Sequence, residues 1–272
     1  MKKEYSVLMA VYEKEDPAFL RESFESMKGQ TLPFSDFVLV CDGPLNEGLD
    51  AVIREEQEEL GDRLQVVRLP ENGGLGKALA AGLPVCRCPV VARMDSDDIS
   101  RPDRCEKEYQ MIRRGYDLVG CSVEEFDRTP GDTGRLRSLP ETDKEIRHFA
   151  HKRNPFNHGT VMFRKEKVLE AGSYQDFPGF EDYCLWVRML KRGCRGWNLP
   201  EPLVDMRIGN GLSGRRGGRG YVRSVVRFQR FLLREGVTTP GDFVMNCGVR
   251  IAVGLMPDGV RDRFYKRFLR KR

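Results

Sequence analysis

From residue 5 to residue 126, short apolar runs alternate with amphipathic segments. Residues 5–11, 37–41, 64–68, 89–94 and 117–126 are runs of strand length, rich in valine and leucine. Between them, residues 17–27 place Phe19, Leu20, Phe24 and Met27 on one helical face, and further helices are predicted over 45–60, 75–83 and 102–114. Pro102 suits the first turn of the last helix, where its missing N–H costs nothing. Strands alternating with helices in this way form βαβ units, which predicts an α/β fold with a mostly parallel sheet covered on both faces. Past Arg128 the rhythm changes. Residues 129–134 are a turn-rich connection, a short helix is predicted near 143–150, a strand at 161–163 and an amphipathic helix at 181–192. Residues 209–220 hold six glycines and three arginines and predict a loop.

The fourth apolar run ends in three carboxylates within four residues, Asp95, Asp97 and Asp98. A buried strand that stops this way delivers them to the carboxyl edge of the sheet, where open α/β folds bind ligands. Carboxylates this close repel unless a cation sits among them, and hard oxygen ligands select Mg²⁺ or Mn²⁺. The alternative is an acidic helix start, since Ser100 precedes Pro102 and Asp103. Tyr12 and Glu13 follow the first strand and Asp42 the second, which argues for one ligand site at that edge.

Other motifs carry less by themselves. Residues 72–77, Asn-Gly-Gly-Leu-Gly-Lys, lack the spacing and the Ser or Thr of a phosphate loop, and they follow the third strand where a dinucleotide fingerprint follows the first. They leave a glycine-rich helix start with Lys77, adequate for an anion or for a plain turn. Glu181 and Asp182 open a helix with Trp186 one turn later; they are either an acidic first turn or a base able to deprotonate a hydroxyl. His158, in a Pro/Asn/Gly loop, is either structural or part of the site.

Composition narrows the partners. The 272 residues are 40% hydrophobic and 32% charged, which fits a globular protein with a sizeable core. No stretch reaches the length of a membrane span, and a strand starts too early for a signal peptide, so a cytoplasmic protein is expected. The eight cysteines lack zinc or thioredoxin spacing and are expected to be reduced thiols. The net charge of +5 divides unevenly: from residue 213 on, 15 basic residues face four acidic ones, a surplus of +11 that leaves −6 on the first 212. Residues 1–212 are accordingly read as the catalytic domain and 213–272 as a Gly/Arg loop followed by basic amphipathic helices.

The residues together carry a resemblance. Ser6-Val-Leu-Met-Ala-Val-Tyr, Val40-Cys-Asp-Gly, the 72–77 glycine segment, Met94-Asp-Ser-Asp-Asp-Ile-Ser-Arg-Pro-Asp-Arg and Phe180-Glu-Asp-Tyr-Cys-Leu-Trp occur in that order. In this the chain resembles the inverting family 2 glycosyltransferases, above all the bacterial branch that builds capsules and exopolysaccharides, including amylovoran-type enzymes. The resemblance covers about residues 5–213 and implies a GT-A fold, a nucleotide-diphospho-sugar donor, UDP-linked before other bases, and a divalent cation, Mn²⁺ or Mg²⁺. By position it implies that Ala10, Val11 and Tyr12, with Glu13 beside them, line the nucleoside and that Asp42 meets the base. Gly76 and Lys77 would lie beside the nucleotide, Asp95 with Ser96 would contact ribose or sugar, and Asp97 would hold the metal. Asp182 matches the catalytic base of a single inverting displacement, with Glu181 and Trp186 shaping the acceptor side and His158 near it. Arg207, with Arg215 in the loop after it, matches a segment that closes over the diphosphate.

The basic tail has two readings. Residues 221–233 and 260–269 interleave arginines with valine, phenylalanine and leucine, so they either lie on an anionic membrane surface or dock on the catalytic domain. The first would hold the protein on the inner face of the cell membrane, close to a lipid-linked acceptor; no nucleic-acid module is present. A sugar-phosphate nucleotidyltransferase and a non-catalytic nucleotide-sugar or membrane-surface binding protein are the competing functions. The first lacks its glycine-rich signature after strand one, and the intact Asp95, Asp97 and Asp182 speak against the second.

Overall fold

The computed structural model describes residues 4–208 and 218–254. β1 (Ser6–Val11) lies inside a run of four parallel strands. It pairs with β2 (Asp36–Cys41) on one side and with β4 (Val90–Asp95) on the other, and β3 (Leu64–Arg68) continues beyond β2. All six residues of β2 are buried, as are five of the six in β1, which is why these strands read as unbroken apolar runs.

The alternation of side chains along each strand sorts the core into two layers. Val7, Met9, Phe37, Leu39, Ala92 and Met94 face α1 (Pro17–Lys28), α2 (Glu47–Leu60) and α4 (Arg104–Arg113). Leu8, Val38, Val40 and Val91 face α3 (Leu75–Gly82), α7 (Glu181–Lys191) and α8 (Gly218–Arg234). The helix starts follow their caps. Asp16 accepts the Ala18 N–H at 2.8 Å with Pro17 in the first turn, and Asn46 accepts the Leu49 N–H at 3.0 Å. Gly82 lets α3 settle on the sheet, since a Cβ there would come within 2.5 Å of Val40 Cγ2 and 2.7 Å of Leu8 Cδ1.

The second half of the sheet differs from the expectation of a mostly parallel one. β5 (Ile99–Ser100), β6 (Leu118–Phe126), β7 (Arg135–Arg137), β8 (Met162–Arg164) and β9 (Gly196–Arg207) complete the order β3-β2-β1-β4-β8-β6-β9-β5, with β7 on β6. β8 runs antiparallel to both β4 and β6, β5 and β7 are antiparallel additions, and β6 and β9 are parallel, so the sheet is mixed. β9 carries Pro200 and Pro202, and its register against β6 shifts between Cys121 and Val123, where Pro202 faces Ser122. A proline-bearing strand with a bulge lacks the sequence signature of a strand.

α5 (Asp143–Phe149) and α6 (Lys165–Glu170) are short connectors. α8 starts at Gly218, earlier than the loop predicted to 220, and buries Val225, Phe228 and Leu232 in the layer that holds α7. The first tail helix is thus part of the main core. α9 (Pro240–Gly254) packs antiparallel-wise back along it, with Asn246 joining Gln229 at 3.2 Å. Residues 209–217 and the second basic segment, 260–269, lie outside the described residues. No described helix is long and apolar enough to cross a membrane. All eight cysteines are free and buried.

Gly82→Ala is expected to cost about 1–3 kcal/mol through overpacking against β1 and β2. Urea denaturation checks it; an unchanged midpoint would mean that α3 can lift off the sheet at no cost.

Candidate active site

The parallel strands end at one edge, and the polar residues that follow them meet there. Tyr12, Glu13, Lys14, Asp42, Pro44 and Asn72 line a cleft of about 530 Å³. Ala10 and Val11, the last residues of β1, lead into it at Tyr12 but are not among the residues that line it, and Val11 is buried. Gly43, at φ +87°, turns the chain away from β2; a Cβ there would come within 2.7 Å of the Asn72 nitrogen.

Asp42 sits at the rim of this cleft and is 5% exposed. Its two carboxylate oxygens accept the backbone N–H groups of Gly73 at 2.7 Å and Gly74 at 2.9 Å, and its carbonyl accepts from Asn72 Nδ2 at 3.2 Å. The residue expected to meet the base therefore also ties the glycine segment to β2. Lys77 is exposed on the first turn of α3, with its stem beside Gly73. Gly76 faces the other way: a Cβ there would stand 3.1 Å from Glu181 Cβ, so the starts of α3 and α7 touch.

The three aspartates after β4 do not converge on one point. Asp95 pairs with the buried guanidinium of Arg93. Asp98 turns inward and accepts the Arg207 N–H at 2.9 Å; burial and the charges of Asp97 and Asp95 push its carboxyl well above the ordinary range. Asp97 stays half-buried at the edge. Ser96 donates to Glu15 at 2.8 Å and is buried, so its hydroxyl is engaged within the protein. The expected cation among three carboxylates is thereby corrected to a donor set with Asp97 foremost. That set still fits Mg²⁺ or Mn²⁺, which take one or two carboxylates and complete their shell with phosphate oxygens and water. Among the described residues the group of three acids close enough to share an ion is Glu25, Glu56 and Glu59, and the ammonium of Lys28 already binds all three.

Two expectations are corrected outright by burial. Arg207, expected to close over a diphosphate, is 5% exposed and fixed on every side. Its Nε donates to the Asp97 carbonyl at 3.0 Å, its Nη2 to Glu22 at 2.5 Å, and its guanidinium lies between the rings of Phe19 and Phe126, 3.7 and 4.5 Å from their centroids. It is a clamp on the acidic loop. Trp186, expected on the acceptor side, is fully buried among Phe156, Phe163, Tyr174 and His158, because α7 is buried on all sides from Tyr183 to Leu190. It backs His158, whose Nε2 lies 3.2 Å from the Tyr174 hydroxyl. Burial and the nearby Arg93 charge hold that imidazole well below its ordinary pKa, hence neutral. Arg215 lies outside the described residues.

Asp182 is held at both carboxylate oxygens. One oxygen accepts from Asn154 Nδ2 at 2.5 Å and the other from the Tyr183 N–H at 2.6 Å. Burial raises its carboxyl above the usual range while those two hydrogen bonds, Arg93 and Arg137 pull it back. Glu181, with Oε2 buried and unpartnered, is pushed up to about 7 by burial and then by the Asp182 charge. Arg93 and Asn154 had not been singled out from the sequence. An arginine inside an otherwise apolar strand was the available signal for the first, since such a charge is almost never buried without a partner.

Comparisons with known proteins show the family of the chain. Residues 6–172 match the family described as Glycosyl transferase family 2. The chain is 40% identical over 265 residues to the amylovoran biosynthesis glycosyltransferase AmsE of Erwinia amylovora, covering 97% of this chain and 98% of that one. It is 35% identical over 269 residues to the UDP-Gal:alpha-D-GlcNAc-diphosphoundecaprenol beta-1,3-galactosyltransferase of Escherichia coli, covering 98% and 97%. Among solved structures, the mannosyltransferase PcManGT of Pyrobaculum calidifontis, in complex with GDP-Man and Mn²⁺, superposes with a TM-score of 0.64 at 17% identity over 91% of this chain and 68% of that one.

Because the folded protein keeps Glu181 protonated into the neutral range, the stability this proton confers is complete below the unfolded pKa and is lost as pH rises through about 7. Glu181→Gln is therefore expected to raise the melting temperature at pH 8 and to leave it unchanged near pH 4. Calorimetric scans at both pH values check it, and a pH-independent effect would contradict the burial of this carboxyl.

Proposed function

The chain belongs to glycosyltransferase family 2 and has the GT-A fold, and on that premise we propose that it transfers a sugar from a UDP-linked donor to a hydroxyl of a lipid-linked glycan, with inversion. The setting is capsule, exopolysaccharide or other cell-surface glycan synthesis. The observation that carries this is the junction of α3 and α7, where Gly76 meets Glu181: the glycine segment beside the nucleoside cleft touches the helix that bears Asp182.

The chemistry divides among these residues. The cleft of Tyr12, Glu13 and Asp42 takes the nucleoside, and Lys77 lies where it can meet negative charge. Asp97 would hold Mn²⁺ or Mg²⁺, whose contribution is to neutralise charge developing on the leaving diphosphate. Asp182 takes the proton of the acceptor hydroxyl as that oxygen bonds to the anomeric carbon and the bond to the diphosphate oxygen breaks. Asn154 and the Tyr183 amide favour the ionised carboxylate that can do this, and no protein nucleophile is needed.

Two substitutions separate these roles. Asp182→Asn is expected to retain binding of UDP with Mn²⁺ and to lower transfer by about 10²–10⁴-fold. Asp97→Ala is expected to abolish metal-dependent binding. Calorimetry with UDP and Mn²⁺, and release of UDP from a panel of sugar donors, read both; full transfer by Asp182→Asn would refute the base.

The same proposal puts the protein on an anionic membrane surface. α8 exposes Arg223, Arg227, Arg230 and Arg234 along one stripe, beside a groove of about 660 Å³ floored by Phe177, Val226 and Phe231. α9 exposes Val244, Met245 and Val249. Interleaved arginine and apolar side chains suit the interface of an anionic bilayer. Point substitutions are the right test, because deleting α8 would take Phe228 from the core. Arg223→Glu with Arg230→Glu is expected to weaken co-sedimentation with phosphatidylglycerol vesicles by about tenfold or more; an unchanged pelleted fraction would count against attachment.

A further inference from the structure

Arg93 occupies the middle of β4 and is 1% exposed. Burying a guanidinium is costly unless its surroundings need the charge. Its backbone is fixed on both sides: the N–H donates to the Val161 carbonyl at 2.8 Å, and the carbonyl accepts from Arg104 Nη2 at 2.6 Å. Arg104 is itself fully buried and paired with Glu108. Two residues along β4, on the same face of the strand, stands Asp95, and Nη2 of Arg93 engages its carboxylate.

This pairing is one-handed. Nε and Nη1 of Arg93 are buried without a hydrogen-bond partner, whereas an arginine used only to neutralise a carboxylate adopts a two-pronged fork. Beside the pair lies the turn at His158–Thr160. A Cβ on Gly159 would lie 2.5 Å from Asp95 Oδ2, 3.2 Å from Arg93 Nη1 and 3.2 Å from Asp98 Oδ2. The bare backbone of Gly159 is thus pressed against the ion pair. The turn cannot retreat, because Thr160 Oγ1 donates to the Asn157 carbonyl at 2.9 Å and Asn157 Nδ2 to the Cys121 carbonyl at 2.9 Å. The Asp95 side chain, 34% exposed, is left with Arg93 behind it and solvent in front.

We propose that Arg93 is a positioning residue, with Gly159 as its backstop, that fixes the Asp95 carboxylate facing outward before any ligand arrives. The proposal rests on the glycosyl-transfer reading for what Asp95 then meets, a hydroxyl of the donor's ribose or sugar. A carboxylate held immobile accepts such hydroxyls without reorganising. It also accounts for Asp95 not standing as a third carboxylate for a metal.

The test uses the full-length protein in two readouts. Without ligand, urea denaturation of Arg93→Met, Asp95→Asn and the double variant is expected to be non-additive, the double losing less than the two singles together. With UDP and Mn²⁺, calorimetry is expected to show affinity about tenfold or more weaker in Arg93→Met and in Gly159→Ala, with Arg93→Lys recovering part of the loss. Additive denaturation losses, or Gly159→Ala affinity within about twofold of the native protein, would overturn the proposal. Should Arg93→Met not fold, Gly159→Ala decides it, since that change keeps the charge and presses most closely on the Asp95 carboxylate. Absence of UDP binding by the native protein would strike the proposed function, and the denaturation cycle would still decide whether Arg93 fixes Asp95.

Discussion

β1 is hydrogen-bonded on both sides, in register from Ser6 to Val11 with β2 and from Ser6 to Ala10 with β4, and the rest of the molecule depends on that double pairing. Because all three strands run the same way, Val11 lies opposite Cys41 and Ala10 opposite Asp95. The residues that come next, Tyr12, Asp42 and Ser96 to Asp98, are then forced to one edge. A slip of one residue in β4 would turn every side chain of that strand over. Arg93 and Asp95 would face the layer of Phe24, Phe37 and Tyr109, and Met94 would face α7. The apolar alternation of β4 therefore fixes which way the site's charges point.

Bringing that many carboxylates to one edge creates a second constraint, mutual repulsion in a partly desolvated place. The fold answers it acid by acid with a different group. Backbone amides of the glycine segment take Asp42, a guanidinium takes Asp95, an amide of β9 takes Asp98, and an asparagine with an amide takes Asp182. Asp42, Asp98 and Asp182 have partners on another element and so act as rivets between elements, while Asp95 is paired within β4. Glu181 keeps one carboxylate oxygen buried without a partner, and its proton affinity is raised by burial and then by the Asp182 charge.

The parallel half of the sheet was legible because a strand buried on both faces must be a continuous apolar run, and the helices between had clean one-sided periodicity. The mixed half was not. β5 is two residues long, β7 is half exposed, and β9 is interrupted by Pro200 and Pro202. In the site, sequence order brought Tyr12, Glu13 and Asp42 to one cleft correctly, since strand ends alone determine it. Side-chain direction was out of reach. Arg207 looked like a mobile arginine at a loop start, but its carboxylate partner is Glu22, 185 residues away, and its aromatic neighbours belong to α1 and β6. Trp186 looked available because it follows Glu181 and Asp182 by one turn. Only the layers packed around α7 show that this helix has no open face near it.

α8 and the segment that opens α7 are packed as one unit. Phe180, the residue just before Glu181, stacks on Phe228 of α8 with ring centroids 4.6 Å apart, and Phe177 packs on both Phe228 and Phe231. Arg227 covers the same Phe177 ring at 4.9 Å. The segment that leads into Asp182 is therefore seated on the helix whose outer stripe carries the exposed arginines. Aromatic contacts of this kind hold position through buried area and ring geometry, which tolerate little sliding. A force applied to the arginine stripe, by a charged surface for instance, would be transmitted to the start of α7 through Phe228, Phe231 and Tyr221. On the proposed function, attachment through α8 and proton transfer on α7 would then be linked through these aromatic contacts.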